Sequence, residues 1–398
     1  MKRIAIIGAS LAGLRAAESL RKAGFAGKLV VIGDEPYLPY DRPPLSKQVL
    51  TGAFAPHQTF FRAKLGYDAL ELDLRLGVRA TALDAARRIV TLGDGSVLEC
   101  DGLLLATGAR VRTLPAMPDL AGLHVLRGLD DALRLRDDLA RARKVVLVGA
   151  GLIGLEVAAS CRAHGLEVTA LEALPVPLAP LLGETIGRAI VALHEQRGVN
   201  VRTSAKVVGI GGRGRVEQVE LADGSRIEAD VVVVGIGVVP NVEWLQGSGL
   251  TLDDGVLCDR YCMAAPGIYA AGDVARWHNP WCDEVMRVEH WTNAGEQAHA
   301  AARNLLAGPG EQTPFASVPY FWSDQYDRKL QFAGLCRGHD EFQIVVGSLA
   351  ELKLTALYGR AGRLVGALAI NQPRQLIHFR RLLVEGSSFE AAASAPAA

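Results

Sequence analysis

The sequence predicts an α/β protein built from two doubly wound, parallel-sheet units with a smaller α+β domain at the C-terminal end, and three observations carry that prediction. A strand, glycine turn and amphipathic helix occur twice, as RIAIIGASLAGLRAAESLRKAG over residues 3–24 and KVVLVGAGLIGLEVAASCRAHG over residues 144–165. Each copy is followed by another apolar strand ending in acid, KLVVIGDE over 28–35 and LEVTALEA over 166–173. From about Pro319 the pattern changes to short alternating strands. Alternating β and α elements of the first kind imply parallel sheets with ligands outside the carboxyl ends of the strands.

Composition sets the outer limits. A chain of 398 residues with 49% hydrophobic content is long enough for two or three domains, each with its own core. Lys plus Arg and Asp plus Glu both total 43, so bulk charge gives no bias toward nucleic acid or an anionic membrane. The six cysteines (Cys100, Cys161, Cys258, Cys262, Cys282, Cys336) form no CxxC pair and no Cys/His cluster of zinc spacing. No metal is expected, and such cysteine usage fits a reducing cytoplasm. The opening MKRIAIIGASLAGL imitates a signal peptide, yet Arg15 and Glu18 follow at once. No apolar run approaches the roughly 20 residues of a membrane span. The expectation is a soluble cytoplasmic protein.

Taken in order, the first unit begins with the strand and turn of residues 3–13. Glycines at such a turn allow a tight reversal, close approach of a pyrophosphate to the backbone, and packing of helix on strand. Gly8 and Gly13 fill two of these places, while Ser10 stands where the middle glycine belongs and offers a hydroxyl to a phosphate. Asp34, or Glu35, ends the next strand where a carboxylate binds ribose hydroxyls. The loop DRPPLSK (residues 41–47) then carries Arg42 and Lys47 on either side of two prolines. GLLLATGAR over 102–110 closes the unit. The second copy has all three glycines, Gly149, Gly151 and Gly154, and Glu172 at its acid position. An acid there repels a 2′-phosphate and Ala173-Leu174 supplies no arginine, a combination that favours NADH over NADPH. In both copies the helix N-terminus and its dipole face the phosphates.

DVVVVGIGVVPN over 230–241 closes the second unit, and GIYAAGDVA over 267–275 returns the chain to the first. The expected domains are therefore a discontinuous 1–110 and 236–318, a second nucleotide domain over 111–235, and 319–398. The last contains the strands LQFAGLC, FQIVVGSL, LKLTALYG and RLVGALAIN, a helix from Pro373 to Glu385, and an Ala/Ser/Pro tail expected to be disordered from Glu390.

An apolar strand running into Gly-Asp, as in GIYAAGDVA, resembles the second flavin motif of flavoproteins that hold two dinucleotides, in which the aspartate binds the FAD ribitol. Together with DRPPLSK, GIGVVPN, EHWTNAGEQ and PYFWSDQYD (319–327), it makes the sequence similar over nearly its whole length to a known family. These are the FAD-dependent, NADH-dependent ferredoxin reductases that serve Rieske-type dioxygenases and bacterial cytochromes P450. The resemblance implies a glutathione-reductase-like pair of Rossmann-like domains, with the 1–110 and 236–318 segments binding FAD and 111–235 binding NADH. It places Ala12, Asp34, Arg42, Lys47, Ala80, Arg127, Asp273 and Trp291 on FAD, and Leu152, Ile153, Glu156, Glu172 and Gly237 on NADH.

By the same resemblance Arg42 meets the FAD pyrophosphate. Lys47 is a cation near flavin N5, paired with Glu156 at the nicotinamide pocket, and Trp291 and Trp322 line the flavin, although packing is the ordinary use of tryptophan. Asn293 and Ala294 begin a helix aimed at the flavin pyrimidine, and His290 receives no role. Lys47, Glu156 and Trp322 are thus the expected catalytic side chains. Related disulfide and peroxide reductases carry a redox cysteine after the first βαβ element, whereas here no cysteine precedes Cys100. The implied partner is an external iron–sulfur ferredoxin, Rieske-type or plant-type. Two other readings stand beside this one: a redox-signalling protein like apoptosis-inducing factor, and an NADH oxidase or peroxidase.

Overall fold

The computed structural model describes residues 1–61, 66–308 and 310–395. The chain divides into two compact units, the first comprising Met1–Asp41, His57–Arg110 and Val239–Pro319, the second Arg42–Pro56, Val111–Val238 and Tyr320–Ala398. The loop holding the two prolines, which the sequence places with the first nucleotide domain, packs within the second unit.

In the first unit, the strands Met263–Ala265, Ile268–Ala270, Gly102–Leu105, Arg3–Ile7, Lys28–Gly33 and Leu72–Leu76 lie in that order across one sheet. All neighbours are parallel except the edge strand Met263–Ala265. Gly102–Leu105 is buried along its whole length, as a strand covered on both faces must be. The helix Leu11–Lys22 buries Leu11, Leu14, Ala16, Ala17 and Leu20, and carries Arg21 and Lys22 at its negative end. Against it packs Trp291–Leu306, whose buried face is formed largely of alanines: Ala294, Ala298, Ala301 and Ala302. Small residues on both helices allow the close approach.

The second unit repeats the plan. Val199–Arg202, Glu167–Leu171, Lys144–Val148, Val231–Val234 and Leu123–Val125 form a five-stranded sheet, parallel throughout. A three-stranded antiparallel sheet, Val207–Gly212, Val216–Leu221 and Arg226–Glu228, packs on it through Val216, Val219 and Leu221. The C-terminal part is an antiparallel sheet ordered Tyr320–Gln325, Arg328–Gly334, Arg363–Ile370, Lys353–Arg360, Glu341–Ser348. The helix Pro373–Glu385 lays Leu376, Phe379 and Leu383 onto it, begins on a proline and ends at Gly386 with φ 71°. From Glu390, where composition led to an expectation of disorder, the chain is helical instead. Phe389–Ala393 forms a short helix whose N-cap Ser388 accepts the Ala391 N–H. Phe389 and Ala392 are buried, and that anchorage is what an Ala/Ser composition does not display. Residues 396–398 of the tail lie outside the described residues. Among the described residues no helix is long and apolar enough to cross a membrane.

Both glycine turns are fixed by backbone contact. A Cβ on Gly8, at φ +118°, would stand 2.0 Å from the Ala106 carbonyl oxygen, and one on Gly13 would stand 1.8 Å from that of Gly8. In the second copy Gly149, at φ +104°, would meet the Gly235 oxygen at 2.3 Å, and Gly154 the Gly149 oxygen at 2.2 Å. Gly13→Ala must therefore push its helix off the turn. Overpacking of this kind costs about 1–3 kcal/mol, and each kcal/mol lowers the unfolding midpoint of a domain this size by about 2–4 °C. Thermal denaturation of the variant beside the parent protein checks this, and an unchanged midpoint contradicts it.

Candidate active site

In the first unit the Gly8 turn presents the start of Leu11–Lys22. The first intrahelical bond runs from the Leu14 N–H to the Ser10 carbonyl at 3.0 Å, so the N–H groups before it are available to an anion. Ser10 is the extended N-cap, and its hydroxyl makes no capping bond; no acidic residue occupies the first turn. Ala12 lies in that turn. A Cβ on Gly272 would approach the Ala12 Cβ to 3.2 Å and the Ala294 Cβ to 3.6 Å. The Gly-Asp motif therefore sits, through Gly272, against the starts of both helices. The Gly272 N–H donates to Gln297 Oε1 at 2.9 Å, and the Arg287 guanidinium donates to the Asp273 carbonyl oxygen at 3.2 Å.

At the end of Lys28–Gly33 the two acids differ. Glu35 accepts the Tyr40 hydroxyl at 2.5 Å, whereas Asp34 is exposed. Ala80 opens a strand at the same edge, since the Val78 N–H bonds to the Gly33 carbonyl and the Gly77 N–H to that of Glu35. Trp291 begins its helix and donates its indole N–H to Asp41 Oδ1 at 2.7 Å. Two residues on, Asn293 is buried; its Nδ2 reaches the Val288 carbonyl oxygen at 3.3 Å, and its Oδ1 has no partner. An orphaned buried acceptor at a helix N-terminus, an uncapped glycine turn and a free carboxylate at the next strand end together fit a dinucleotide. They suit FAD with Gly8, Ser10, Ala12, Gly13, Asp34 and Asp273 as its holders.

In the second unit the corresponding turn is more open. A Cβ on Gly151 would meet nothing within 4 Å, and the same holds at Gly237, which sits at φ +100°. Leu152 and Ile153 begin the helix Leu152–Ala163, and Ile153 is 50% exposed. Glu172 is held from both sides. Its Oε2 accepts the Ala150 N–H at 3.1 Å, and its Oε1 accepts the Leu174 N–H at 3.0 Å. The carboxylate is thereby fastened to the glycine turn itself, with lone pairs left for the hydroxyls of a ribose. This arrangement fits NADH.

The helix Leu152–Ala163 also fastens the proline loop. Glu156 and Ser160 are one turn apart on one face, and the same face continues to His164 at the helix C-cap. Ser160 Oγ donates to the Ser46 carbonyl at 2.7 Å, and His164 Nε2 lies 3.0 Å from the Leu50 carbonyl, which can only accept. Glu156, with its side chain 3% exposed, pairs with Lys47 Nζ at 2.7 Å and accepts the Ser46 hydroxyl at 2.5 Å. Its other oxygen accepts the Ser323 hydroxyl at 2.7 Å. Pro43 and Pro44 open the 3-10 turn Pro43–Ser46 that aims Lys47. Arg42, at the N-cap of that turn, donates to the Arg127 carbonyl at 2.7 Å. Lys47 and Glu156 are thus brought together. Trp322 is not: strand alternation turns Ser323 toward Glu156 and sends Trp322, stacked with Tyr320 at 6.3 Å between ring centroids, to the opposite face.

Sequence reasoning missed Ser46, Ser323, Gln325 and His194. Gln325 Nε2 donates to Ser323 Oγ at 3.1 Å, and His194 Nε2 lies 2.9 Å from Gln325 Oε1. The signal present was Ser-x-Gln inside WSDQ, two polar side chains at alternate positions and so on one face of a strand. All six cysteines are free. Burial pushes the Cys100 and Cys336 thiols up to about 11 and Cys161 up to about 12, and raises Cys258 and Cys262 as well, so none of these is poised as a thiolate.

Comparison with known proteins identifies the family. Residues 2–298 match the model of the pyridine nucleotide-disulphide oxidoreductases, and residues 320–398 match the reductase C-terminal family. The chain is 40% identical to the ferredoxin–NAD(+) reductase component of an anthranilate 1,2-dioxygenase system from Burkholderia cepacia, over 96% of this chain and 94% of that one. It is 39% identical to rhodocoxin reductase from Rhodococcus erythropolis, over 96% and 89% of the two chains. Among solved structures, the ferredoxin reductase for the CYP199A2 system from Rhodopseudomonas palustris superposes with a TM-score of 0.93 at 36% identity, covering 99% of this chain and 98% of that one. Putidaredoxin reductase in its covalent complex with putidaredoxin gives a TM-score of 0.92 at 33% identity, covering 97% and 93%. The chain belongs to the pyridine nucleotide-disulphide oxidoreductase family.

Proposed function

We propose that the chain is an FAD-containing, NADH-dependent ferredoxin reductase of the cytoplasm that feeds an oxygenase through a small iron–sulfur protein, Rieske-type or plant-type. The observation that carries this reading is a lysine–glutamate pair with a buried carboxylate, Lys47 with Glu156 at 2.7 Å, in a chain whose buried thiols are all pushed away from reactivity. A flavin without a nearby reactive thiol passes its electrons outward. Relatives named as ferredoxin reductase components of dioxygenase systems, together with rhodocoxin reductase, support the same reading and lend nothing to the signalling or oxidase alternatives.

When bound, FAD supplies the conversion of a hydride donor's two electrons into single-electron deliveries. The chain's own groups do the rest. Asp273 and the Gly8 turn hold the ribitol and pyrophosphate, and Asp34 takes the ribose, since Glu35 is engaged by Tyr40. Ala80 and Trp291 complete the flavin contacts of this reading in the first unit. Glu172, pinned by two backbone N–H groups, reads the ribose of NADH, while Gly149, Gly151, Gly154, Leu152, Ile153 and Gly237 receive the remainder of the coenzyme. Lys47 presents an ammonium group that Glu156 keeps in place. A fixed cation favours developing negative charge without reorganising at the moment of reaction.

Ferredoxin encounter is assigned to basic side chains of the C-terminal domain. The sequence concentrates Arg328, Lys329, Arg337, Arg360, Arg363, Arg374, Arg380 and Arg381 there. Arg328 pairs with Asp327, Lys329 with Asp324 at 3.5 Å and Arg381 with Glu385 at 3.6 Å, and Arg380 lies over the Tyr320 ring. Arg363 and Arg374 are exposed and belong to the patch.

Three measurements test the proposal. Asp273→Ala should purify with depleted FAD and a weakened FAD affinity; a variant that stays fully yellow with unchanged affinity removes Asp273 from the flavin site. Glu172→Ala should lose about 1.5–3 kcal/mol of NADH efficiency, the worth of bonds to a charged group, and narrow the gap to NADPH. A steady-state NADH/NADPH preference that does not move rules Glu172 out. Raising salt toward 1 M, where screening shortens to about 3 Å, should slow reduction of an acidic ferredoxin far more than reduction of ferricyanide. Flat stopped-flow rates to the ferredoxin across that range would mean apolar docking and dismiss the arginines.

A further inference from the structure

A buried carboxylate keeps its charge and rotamer only if its lone pairs are met, and the groups that meet those of Glu156 extend well beyond Lys47. Ser323 Oγ donates to Oε1, Gln325 Nε2 donates to Ser323 Oγ, and His194 Nε2 faces Gln325 Oε1 at 2.7, 3.1 and 2.9 Å. Tyr326 OH lies 3.2 Å from His194 Nδ1. Ser323, Gln325 and His194 are each wholly buried, and burial lowers the His194 pKa, so the ring is neutral with one N–H. An acceptor at Gln325 Oε1 puts that proton on Nε2, which makes Nδ1 the acceptor of the tyrosine hydroxyl. Every donor in the series therefore points the same way: Tyr326 to His194, His194 to Gln325, Gln325 to Ser323, Ser323 to the carboxylate. Aligned donors polarise one another and strengthen the last bond.

We infer that Ser323 and Gln325 are positioning residues for Glu156, so that the strand Tyr320–Gln325 of the C-terminal domain takes part in the NADH half of the reaction. The inference rests on the reading of Lys47 and Glu156 as working groups. Geometry alone explains why one strand should do this: its two polar side chains, at alternate positions, project onto one buried face, and the helix Leu152–Ala163 presents Glu156 there. A serine used only for packing would not be aligned between a carboxylate and an amide whose other end is fixed by a histidine.

The test uses full-length, FAD-loaded protein with NADH, in five forms: parent, Glu156→Gln, Ser323→Ala, Ser323→Thr, and Ser323→Ala combined with Glu156→Gln. Flavin reduction at saturating NADH is followed by stopped flow, NAD+ affinity by equilibrium dialysis, and FAD content by absorbance after release. Ser323→Ala should reduce about tenfold more slowly, as loss of one bond to a charged group predicts, with FAD content and NAD+ affinity within about twofold of the parent. Ser323→Thr, which keeps the hydroxyl, should recover most of the rate. In the Glu156→Gln background the serine change should add little, because the group it positions is already neutral. If Ser323→Ala does not give folded protein, Gln325→Met reports on the same chain with a slowing of about threefold. Parent-like reduction by Ser323→Ala while Glu156→Gln is slow overturns the inference alone. Parent-like reduction by Glu156→Gln overturns the reading beneath it. Equal slowing by the serine change in both backgrounds, or slowing that merely tracks lost FAD or NAD+ binding, assigns Ser323 to packing and overturns the inference.

Discussion

One buried carboxylate, that of Glu156, constrains much of the second unit. Taking an ion pair out of water costs several kcal/mol per charge, and the cost is recovered only where geometry is good and the remaining lone pairs are met. Lys47 and Ser46 meet one oxygen and Ser323 the other, at 2.7, 2.5 and 2.7 Å. Those three donors come from a loop and from a strand nearly three hundred residues further along the chain. The helix Leu152–Ala163 must therefore hold both, and it does so with one face: Ser160 and His164 fix the loop backbone on either side of Lys47. The two prolines matter for the same reason. A loop with fewer accessible conformations loses less entropy when it is fixed against that helix.

The glycine turns show a different constraint, met twice by the same solution. In each copy the first glycine has positive φ and lies under a carbonyl from a neighbouring strand end, Ala106 in one and Gly235 in the other, and the third lets the helix settle on the turn. Where the copies differ, the difference falls at the middle position. Gly151 leaves open space, while Ser10 places a hydroxyl there. The middle glycine answers to the ligand and the outer two answer to the chain, which is why only the middle one can be exchanged without disturbing the fold.

Much of this was legible beforehand because it is periodic. The repeated strand, turn and helix, the acid ending the next strand, and the apolar alternation after Pro319 are local signals, and each element stands where its period placed it. Asp34, Asp273, Glu172 and the glycines stood out as candidates because a phosphate or a ribose requires particular atoms at fixed offsets. Side chains that act across long separations were not. Ser323 and Gln325 are ordinary strand residues until Glu156 is seen beside them, and His194 is an ordinary helix residue until Gln325 is. The helix Phe389–Ala393 was hidden for a related reason: alanine-rich composition reads as low complexity, yet alanine is the best helix former, and a single buried Phe389 suffices to anchor it. Charge counting does not show pairing either: Arg328, Lys329 and Arg381 are engaged with acids close to them in sequence.

The family takes its description from disulphides, and this chain shows how little of that chemistry the architecture itself demands. A reactive cysteine needs a lowered pKa, and a lowered pKa needs exposure to a cation or a helix N-terminus. Cys161 lies near the end of the helix Leu152–Ala163, but it is fully buried there and its thiol is pushed up to about 12. Lys47, by contrast, is held by a carboxylate within a loop that two prolines stiffen. Replacing a nucleophile with a fixed positive charge keeps the electrostatic part of the site and discards the covalent part. Nothing among these buried groups can then store electrons as a bond. The proposed external acceptor follows from that exchange as much as from any resemblance.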